Sequence, residues 1–484
     1  MTLETIAGHF DHNVASLQIS IDSDRLFDFR LPRAAFASRF SMYEIVRNFL
    51  LRCSRAYWFP MTLPQIHPVV LSLSVPSERR VAIRVTAEAE RHLRQGHPWV
   101  YDQAIRRQSH GGQPGDLAVV FDKRNRFIAI GLYDPTSSIR VRILQHRRPI
   151  PIDAAWLKER LAAAVRLRAS LQASQTNGYR LVHGENDGLP GLVIDRYDHT
   201  LVLKLYTVAW VTHLHVVLTA LAVVSPVAQR VILRLSRNVQ QQRRHLHRLT
   251  DGMILSGPPL TKTLLFAESG VRVEVDPIHG QKTGVFLDQR ENRARVRQLS
   301  AHRAVLDAFA YTGGFSVAAA QGGAREVISI DMSRPALEAA RRNMALNRTV
   351  SSVARVRHEL IVGDVSEVLE RLGQQRRLFD LVILDPPSFA KARSEVNEAL
   401  RAYGRLALLA LAVLRPGGIL VFSCCSGQVS TDAFFSTIHR AAIKAHRSLH
   451  ELERTGQPLD HPVRFKEGAY LKCLFAVVST RNRI

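Results

Sequence analysis

This sequence predicts an α/β protein whose C-terminal half carries a parallel sheet covered by helices, preceded by a small β-barrel and a central α+β region. Three observations carry that expectation. From about residue 265, short and strongly apolar runs such as RAVLDAF, EVISIDM, FDLVILDPP and GGILVFSCC alternate with helical segments, the pattern of strands buried on both faces. Between residues 79 and 147, short alternating runs are cut by Pro-Gly and Asp-Pro turns. Between these regions, IDAAWLKERLAAAVRLRASLQ (152–172) spaces its apolar positions as one amphipathic helix and leads into further strands. The expected domains are therefore 79–150, 151–260 and 261–484, after an extension over 1–78.

Composition narrows the class. At 484 residues the chain has room for roughly three domains. Its 46% hydrophobic and 22% charged residues exclude a wholly disordered or fibrous chain. Four Cys, two of them adjacent (Cys424, Cys425), make no disulfide framework and point to a reducing compartment. No apolar run is long enough to span a bilayer, and MTLETIAGHFDHNV lacks the layout of a signal peptide, so the expected location is cytoplasmic. The net charge is +24, and only nine of the 66 basic residues are Lys. Such a field attracts polyanions, and guanidinium forks suit phosphates and bases better than ammonium does. A nucleic-acid partner is the reading this favours over plain solvated faces.

The elements follow in order. Residues 1–78 carry mixed apolar stretches (RNFLLRCSRAYWFPMTL) and no chemical motif, so they read as a dispensable upstream extension, or a misplaced start before Met61, or a small accessory domain. RVAIRVTAEAERHLRQGHPWVYDQAIRR gives a strand, a short helix and an aromatic turn, and PGDLAVVFDKRNRFIAIGLYDPTSSIRVRILQ gives the barrel strands. Val231–Thr250 holds five Arg, three consecutive Gln and no acid, which suits either a loop facing a polyanion or an ordinary solvated turn. VRVEVDP and TGVFLDQ look like strands leading into the helical RENRARVRQLS, and SRPALEAARRNMALN is a helix with Asn347 near its end.

In the C-terminal alternation, acids close four successive strands: Asp307, Asp331, Asp364 and Asp385. After Asp307, a Gly-Gly pair (Gly313, Gly314) turns strand into helix, and missing side chains let backbone amides approach a ligand. The stretch is neither GxGxxG nor a phosphate loop. Asp331 follows Asp307 by 24 residues, as a carboxylate accepting two ribose hydroxyls should, and Asp364 is placed for an adenine amino group. An adenosine whose other end is not a pyrophosphate fits, and S-adenosylmethionine fits best. A lone strand-end Asp is more often a helix cap; four in order at βα spacing favour the ligand.

LDPPSFAK (384–391) stiffens the turn after the fourth strand and leaves Asp385 at the pocket mouth, in the manner of target-binding loops of base methyltransferases. The next strand ends in Cys424 and Cys425, whose side chains point to opposite faces, so only one thiol addresses the pocket. C5 of cytosine is a poor nucleophile. A thiolate added to C6 makes it enamine-like, whereas ring-nitrogen methylation needs no thiol. The bland alternative is a buried structural Cys, the reading given to Cys53 and Cys473.

These stretches closely resemble one family. GQKTGVFLDQRENR (280–293), DAFAYTGGFSVAAAQGGA (307–324), DPPSF (385–389), FSCCSG, DHP and YLK are similar to bacterial large-subunit ribosomal RNA cytosine-5 methyltransferases, with an N-terminal PUA domain, a central domain and a Rossmann-like class I methyltransferase domain. HPWVYDQAI and YDPTSSIRVRIL resemble the PUA portion, an RNA-binding module, and HGENDGLPGLVIDRY the start of the central domain. The likeness spans about 79–484. It implies cofactor contacts by Gln289, Arg290, Asp307, Tyr311, Gly313, Gly314, Asp331, Asp364 and Asp385. Cys425, immediately before Ser-Gly as in the family's SCSG form, would be the nucleophile, with Cys424 in a position usually held by Ser. Asp385 is the candidate for the proton-abstracting base. The family often has Lys after DPP where this chain has Ser388, and Lys391 is expected to reach that space. The implied partners are 23S rRNA or a large-subunit precursor, with a homodimer left open and neither membrane nor metal. Two other functions compete: a guanine N7 or N2 methyltransferase on the same fold, and a non-catalytic RNA-binding assembly factor.

Overall fold

The computed structural model describes residues 3–11, 14–21, 26–32 and 66–479. It divides into two units, Met1–Leu63 and Pro64–Ile484. Within the first, β1 (Leu3–Asp11), β2 (Val14–Ile21) and β3 (Leu26–Pro32) form an antiparallel meander. Cys53 and Met61 lie outside the described residues.

The second unit begins earlier than the expected boundary at 78. Ile66 bridges Ser256, the His67 amide donates to the Leu255 carbonyl, and Val70 is buried in the central core. Next comes a six-stranded sheet of β4 (Val81–Val85), β5 (Trp99–Tyr101), β6 (Ile105–Gln108), β7 (Leu117–Phe121), β8 (Phe127–Tyr133) and β9 (Ile139–His146), in the order β5-β9-β8-β7-β4-β6. Every second residue of β4 is buried, as period-two alternation over one core requires.

The central sheet joins β10 (Gly178–His183), β11 (Leu192–Tyr197), β12 (Thr200–Leu205), β13 (Arg230–Leu235) and β14 (Ile254–Ser256) in sequence order. The single helix expected over 152–172 is two, Ala154–Leu167 and Ala169–Ala173. The break falls at Arg168, which is fully buried: its guanidinium turns inward and bonds both carboxylate oxygens of Asp187, at 2.9 and 2.7 Å. A helix that continued unbroken would keep that charge on its surface. In Val231–Thr250, Arg237, Arg243, Arg244 and Arg248 are exposed, and Arg234 pairs with Asp251.

A hairpin, β15 (Leu264–Glu268) and β16 (Val271–Val275), leads to the last sheet. TGVFLDQ is not a strand: it is irregular and then 3-10, running straight into the helix Arg290–Leu299, because its apolar residues fill gaps between layers instead of joining a ladder. The last sheet contains β17 (Ala304–Ala308), β18 (Glu326–Asp331), β19 (Arg357–Val362), β20 (Phe379–Leu384), β21 (Leu414–Cys424), β22 (Leu449–Thr455) and β23 (Lys472–Val478). Its order is β19-β18-β17-β20-β21-β23-β22. The five strands β17 to β21 are parallel as expected, but β23 runs antiparallel between β21 and β22, so the sheet is mixed. Alternation divides each strand between two cores. Val382, Leu384, Leu420 and Phe422 enter one; Leu381, Ile383, Ile419 and Val421 enter the other. The strand order reverses direction between β17 and β20, which opens a crevice at their C-terminal ends.

Candidate active site

A cavity of about 300 Å³ occupies that crevice, lined by both turns that leave β17 and β20 and by the segment 285–297. On leaving β17 the chain takes left-handed backbone three times, at Phe309 (φ 65°), Tyr311 (φ 48°) and Gly313 (φ 76°). Non-glycine residues resist this conformation, at about 1 kcal/mol or more each, so surrounding bonds must hold the turn. They do. The Tyr311 amide donates to Asp331 Oδ2 (2.8 Å), and the Tyr311 hydroxyl donates to the Gly284 carbonyl while accepting from the Gln281 amide, both at 3.1 Å. Gly313 admits no side chain, since a Cβ there would sit 2.7 Å from Ala340 Cβ. It opens the helix Gly314–Gln321, whose first amides face the cavity.

Asp331 ends β18 in the cavity wall, its Oδ1 accepting from the Ser333 amide at 2.9 Å. Gln289, Arg290, Tyr311, Gly313, Gly314 and Asp385 also line the cavity, so seven of the residues named for the cofactor come together. Two do not. Asp364 caps the helix Val365–Gln374, accepting from the Ser366 and Glu367 amides at 2.8 and 3.2 Å, which is the commoner work of a strand-end Asp. Asp307 is fully buried behind the wall and accepts from Ser316 Oγ at 2.5 Å; burial pushes its carboxyl up to about 7.

At the other end of the cavity stand Asp385 and Cys425. Strand alternation carries Cys424 into the core with Phe422, 3.4 Å from the Tyr403 hydroxyl, and turns Cys425 to the cavity, its thiol directed at the Pro386 carbonyl (3.8 Å). Asp385 Oδ1 accepts from Gln289 Nε2 at 2.8 Å. Burial, with the Asp288 charge second, pushes Asp385 up to about 7. Burial also pushes the Cys425 thiol up to about 12, helped by Asp385 and opposed by Lys282. Cys473 is buried in the sheet.

The sequence assigned no role to Asp288, which lies in this wall, or to Lys282 and Tyr470, which hold it from behind. Lys282 Nζ lies 3.1 Å from Asp288 Oδ2 and 4.4 Å from the centre of the Phe286 ring; the Tyr470 hydroxyl donates to the same oxygen at 2.8 Å. Burial acts to raise Asp288, yet Lys282, His461 and Tyr470 together hold it well below the usual carboxylate range. Lys282 is exposed and lies outside the cavity wall, but its charge acts to lower the Cys425 thiol. Lys391 is exposed and absent from the cavity wall, its amide bonded to Glu395. GQKTGVFLDQR contained the signal, because Lys282 and Asp288 stand just before Gln289 and Arg290 in the same stretch.

A ligand with an adenosine end and an amino-acid end suits these walls. Apolar Phe309 and Val317 line the cavity together with the strand-end carboxylate of Asp331 and the glycine turn at Gly313 and Gly314. Comparison with known proteins agrees. Residues 180–476 match the S-adenosylmethionine-dependent methyltransferase family model, and 83–146 match a PUA-like domain. The chain is 46% identical to a "Ribosomal RNA large subunit methyltransferase" of Deinococcus radiodurans, across 84% of this chain and 99% of that one. It is 37% identical to a "Ribosomal RNA large subunit methyltransferase I" of Photobacterium profundum, across 79% and 96%. A methyltransferase solved in complex with SAH shares the fold at 20% identity and a TM-score of 0.69, covering 82% of this chain and 99% of that one. The chain is an S-adenosylmethionine-dependent methyltransferase with a PUA-like domain, and belongs to the family of the ribosomal RNA large subunit methyltransferases. Its cofactor is S-adenosylmethionine. Among the described residues no helix is long and apolar enough to cross a membrane, and no cluster of three or more His, Cys, Asp or Glu is gathered to hold a metal.

Proposed function

We propose that this protein methylates C5 of a cytosine in large-subunit ribosomal RNA, with Cys425 as nucleophile. The observation that carries the reading is that Cys425, and not Cys424, opens on the cavity that Asp331, Gly313 and Asp385 line. A methyl donor bound there supplies an electrophilic methyl on a sulfonium. Asp331 would hold its ribose hydroxyls, the Gly313–Gly314 turn its amino-acid end, and Tyr311 would fix that turn. Arg290, paired with Asp460 at 2.9 Å, and Gln289 would form the wall between cofactor and substrate.

The Cys425 thiolate adds to C6 of the base, forming an S–C6 bond and moving electron density to C5. C5 takes the methyl as the donor's methyl–sulfur bond breaks. Asp385 then accepts the C5 proton, the C5–H electrons restore the C5–C6 double bond, and the S–C6 bond breaks. A carboxylate poised near neutral pH suits a general base. Gln289 occupies one of its oxygens and leaves the other for the proton. Lys282 supplies positive charge that acts to lower the thiol. The PUA-like domain, the exposed Arg237, Arg243, Arg244 and Arg248, and the +24 net charge support a polyanionic substrate. Residues 1–63 are proposed to be dispensable for the chemistry.

The test is purified protein, methyl-labelled S-adenosylmethionine and rRNA from cells lacking this gene, followed by nucleoside digestion. Label in 5-methylcytidine of 23S rRNA is expected. Label in a methylguanosine would leave the fold and cofactor standing and demote Cys425 to structure. No label on rRNA or on subunits would favour a binding factor.

A further inference from the structure

Beyond Lys282 lies a surface that the chemistry at Asp385 and Cys425 leaves unused. Along β12, alternation sends Leu201, Leu203 and Leu205 into the central core and Lys204 to the other face, level with Arg234 of β13. Tyr206 follows the strand with 48% of its surface exposed. The Lys204 ammonium donates to the Lys282 carbonyl at 3.2 Å and stands 5.6 Å from the centre of the Tyr206 ring. Lys282 in turn pairs with Asp288 and stands over Phe286, and both of these line the cavity. A run of direct contacts therefore leads from the cavity wall out to an exposed aromatic ring.

The charges at this corner do not cancel. Asp195 pairs with Arg180, Asp251 with Arg234 and Asp288 with Lys282. Among the described residues Lys204 forms no ion pair, so its charge is left over. An exposed tyrosine alone is ordinary. A tyrosine held by a cation without a counter-ion is the pairing that suits single-stranded nucleic acid, offering a π face to a base and a charge to a phosphate. An enzyme that acts on a base must take it out of its stack, and the bases it parts from then need a new surface. We propose that Tyr206 and Lys204 form a docking surface for the substrate strand: the Tyr206 ring stacks on a nucleobase flanking the target, and Lys204 holds a phosphate beside it. This rests on the reading of RNA as substrate, and not on which atom of the base is methylated.

The test is steady-state methyl transfer by the full-length enzyme on unmodified 23S rRNA, with S-adenosylmethionine binding measured separately by calorimetry. Tyr206→Ala is expected to raise the KM for rRNA roughly tenfold, with kcat and S-adenosylmethionine affinity within about threefold of wild type. Tyr206→Phe keeps the ring and should raise KM by less than about threefold. In filter binding, Lys204→Gln should reduce the slope of log affinity against log salt by about 0.7, the share of one single-strand phosphate, whereas Tyr206→Ala should leave that slope alone. Ultraviolet crosslinking of the wild type to the same RNA should link a nucleotide to the peptide that carries Tyr206. An unchanged KM in Tyr206→Ala, a Tyr206→Phe as impaired as Tyr206→Ala, or no nucleotide on that peptide would overturn the proposal. So would a loss seen with large-subunit particles and not with naked rRNA, which would assign the surface to a ribosomal protein. Should Tyr206→Ala fail to fold, the Lys204→Gln slope and the crosslink carry the test. A wild-type enzyme that labels no RNA, naked or in subunits, would sink the substrate reading instead, and the crosslink would still report on the surface.

Discussion

At the end of the cavity beneath β17 and β18 the main chain makes the site. A turn with three left-handed residues, one glycine that tolerates no Cβ, and a strand-end Asp bonded to two backbone amides together shape the cavity wall. At the end beneath β20 and β21, side chains from separate segments meet: Asp288, Asp385 and Cys425 in the cavity wall, with Lys282 and Tyr470 bonded to Asp288. The first end is built largely from main chain. The second is a low-dielectric cluster in which each ionisation depends on its neighbours, as chemistry on a base requires and binding alone does not.

Exchanging the two thiols tests that contrast most strongly. Cys425→Ala is expected to lower methyl transfer by about a thousandfold or more while S-adenosylmethionine binding, measured by calorimetry, stays near wild type. Cys424→Ala should do the reverse, keeping transfer and losing about 1–2 kcal/mol of stability by denaturant unfolding, since it only leaves a gap against Tyr403 and Phe422. Equal losses in both variants would erase the distinction between the two ends.

The cofactor end breaks differently. Asp331→Ala removes a charged acceptor and orphans the Tyr311 amide, so S-adenosylmethionine affinity should fall roughly tenfold to a hundredfold. Affinity unchanged by calorimetry would mean that the carboxylate only braces the turn.

Asp307 sharpens the line between binding and support. Its folded carboxyl is raised to about 7, so the protonated form favours folding; that contribution is complete below the ordinary value of 3.8 and is lost as pH rises through about 7. Asp307→Asn should therefore gain melting temperature over the wild type at pH 8, by roughly 3 °C, and gain little at pH 4, in protein free of cofactor. A gain that does not depend on pH would show the carboxyl is not ionising in place.

The smallest expected effect is at the N-terminus. A chain starting at Met61 keeps Ile66 and Val70, which pack in the second unit, and should melt and transfer methyl groups like the full protein. Loss of transfer in that chain would make the first unit part of the enzyme.

This contrast also explains what could be read in advance. Glycines, strand-end acids and two-face apolar runs follow from backbone geometry, which acts locally, so β17 to β21, Gly313 and Asp331 were visible in the sequence. Asp364 was harder to place, because a cap and a ligand contact share one sequence signature, and here the side chain accepts from the Ser366 and Glu367 amides outside the cavity wall. The TGVFLDQ segment looked like a strand because Val285, Phe286 and Leu287 make a short apolar run, but Val285 and Leu287 pack into a core instead of joining a ladder. Lys282 and Tyr470 could not be paired with Asp288 and Cys425 from spacing, because Lys282 lies 143 residues before Cys425 and Tyr470 lies 45 residues after it. The fold and its reversal at β17 make that contact.

The most direct measurement is a trap. With 23S rRNA transcribed with 5-fluorocytidine, the C5 position carries fluorine instead of a removable proton, so the thiol adduct should persist through denaturation. Peptide mapping of the linked protein should find the nucleotide on Cys425, with the Cys424→Ala variant trapping as well as the wild type. No adduct from an enzyme that methylates ordinary rRNA, or an adduct on Cys424, would contradict a thiol at the cavity wall as the reacting group.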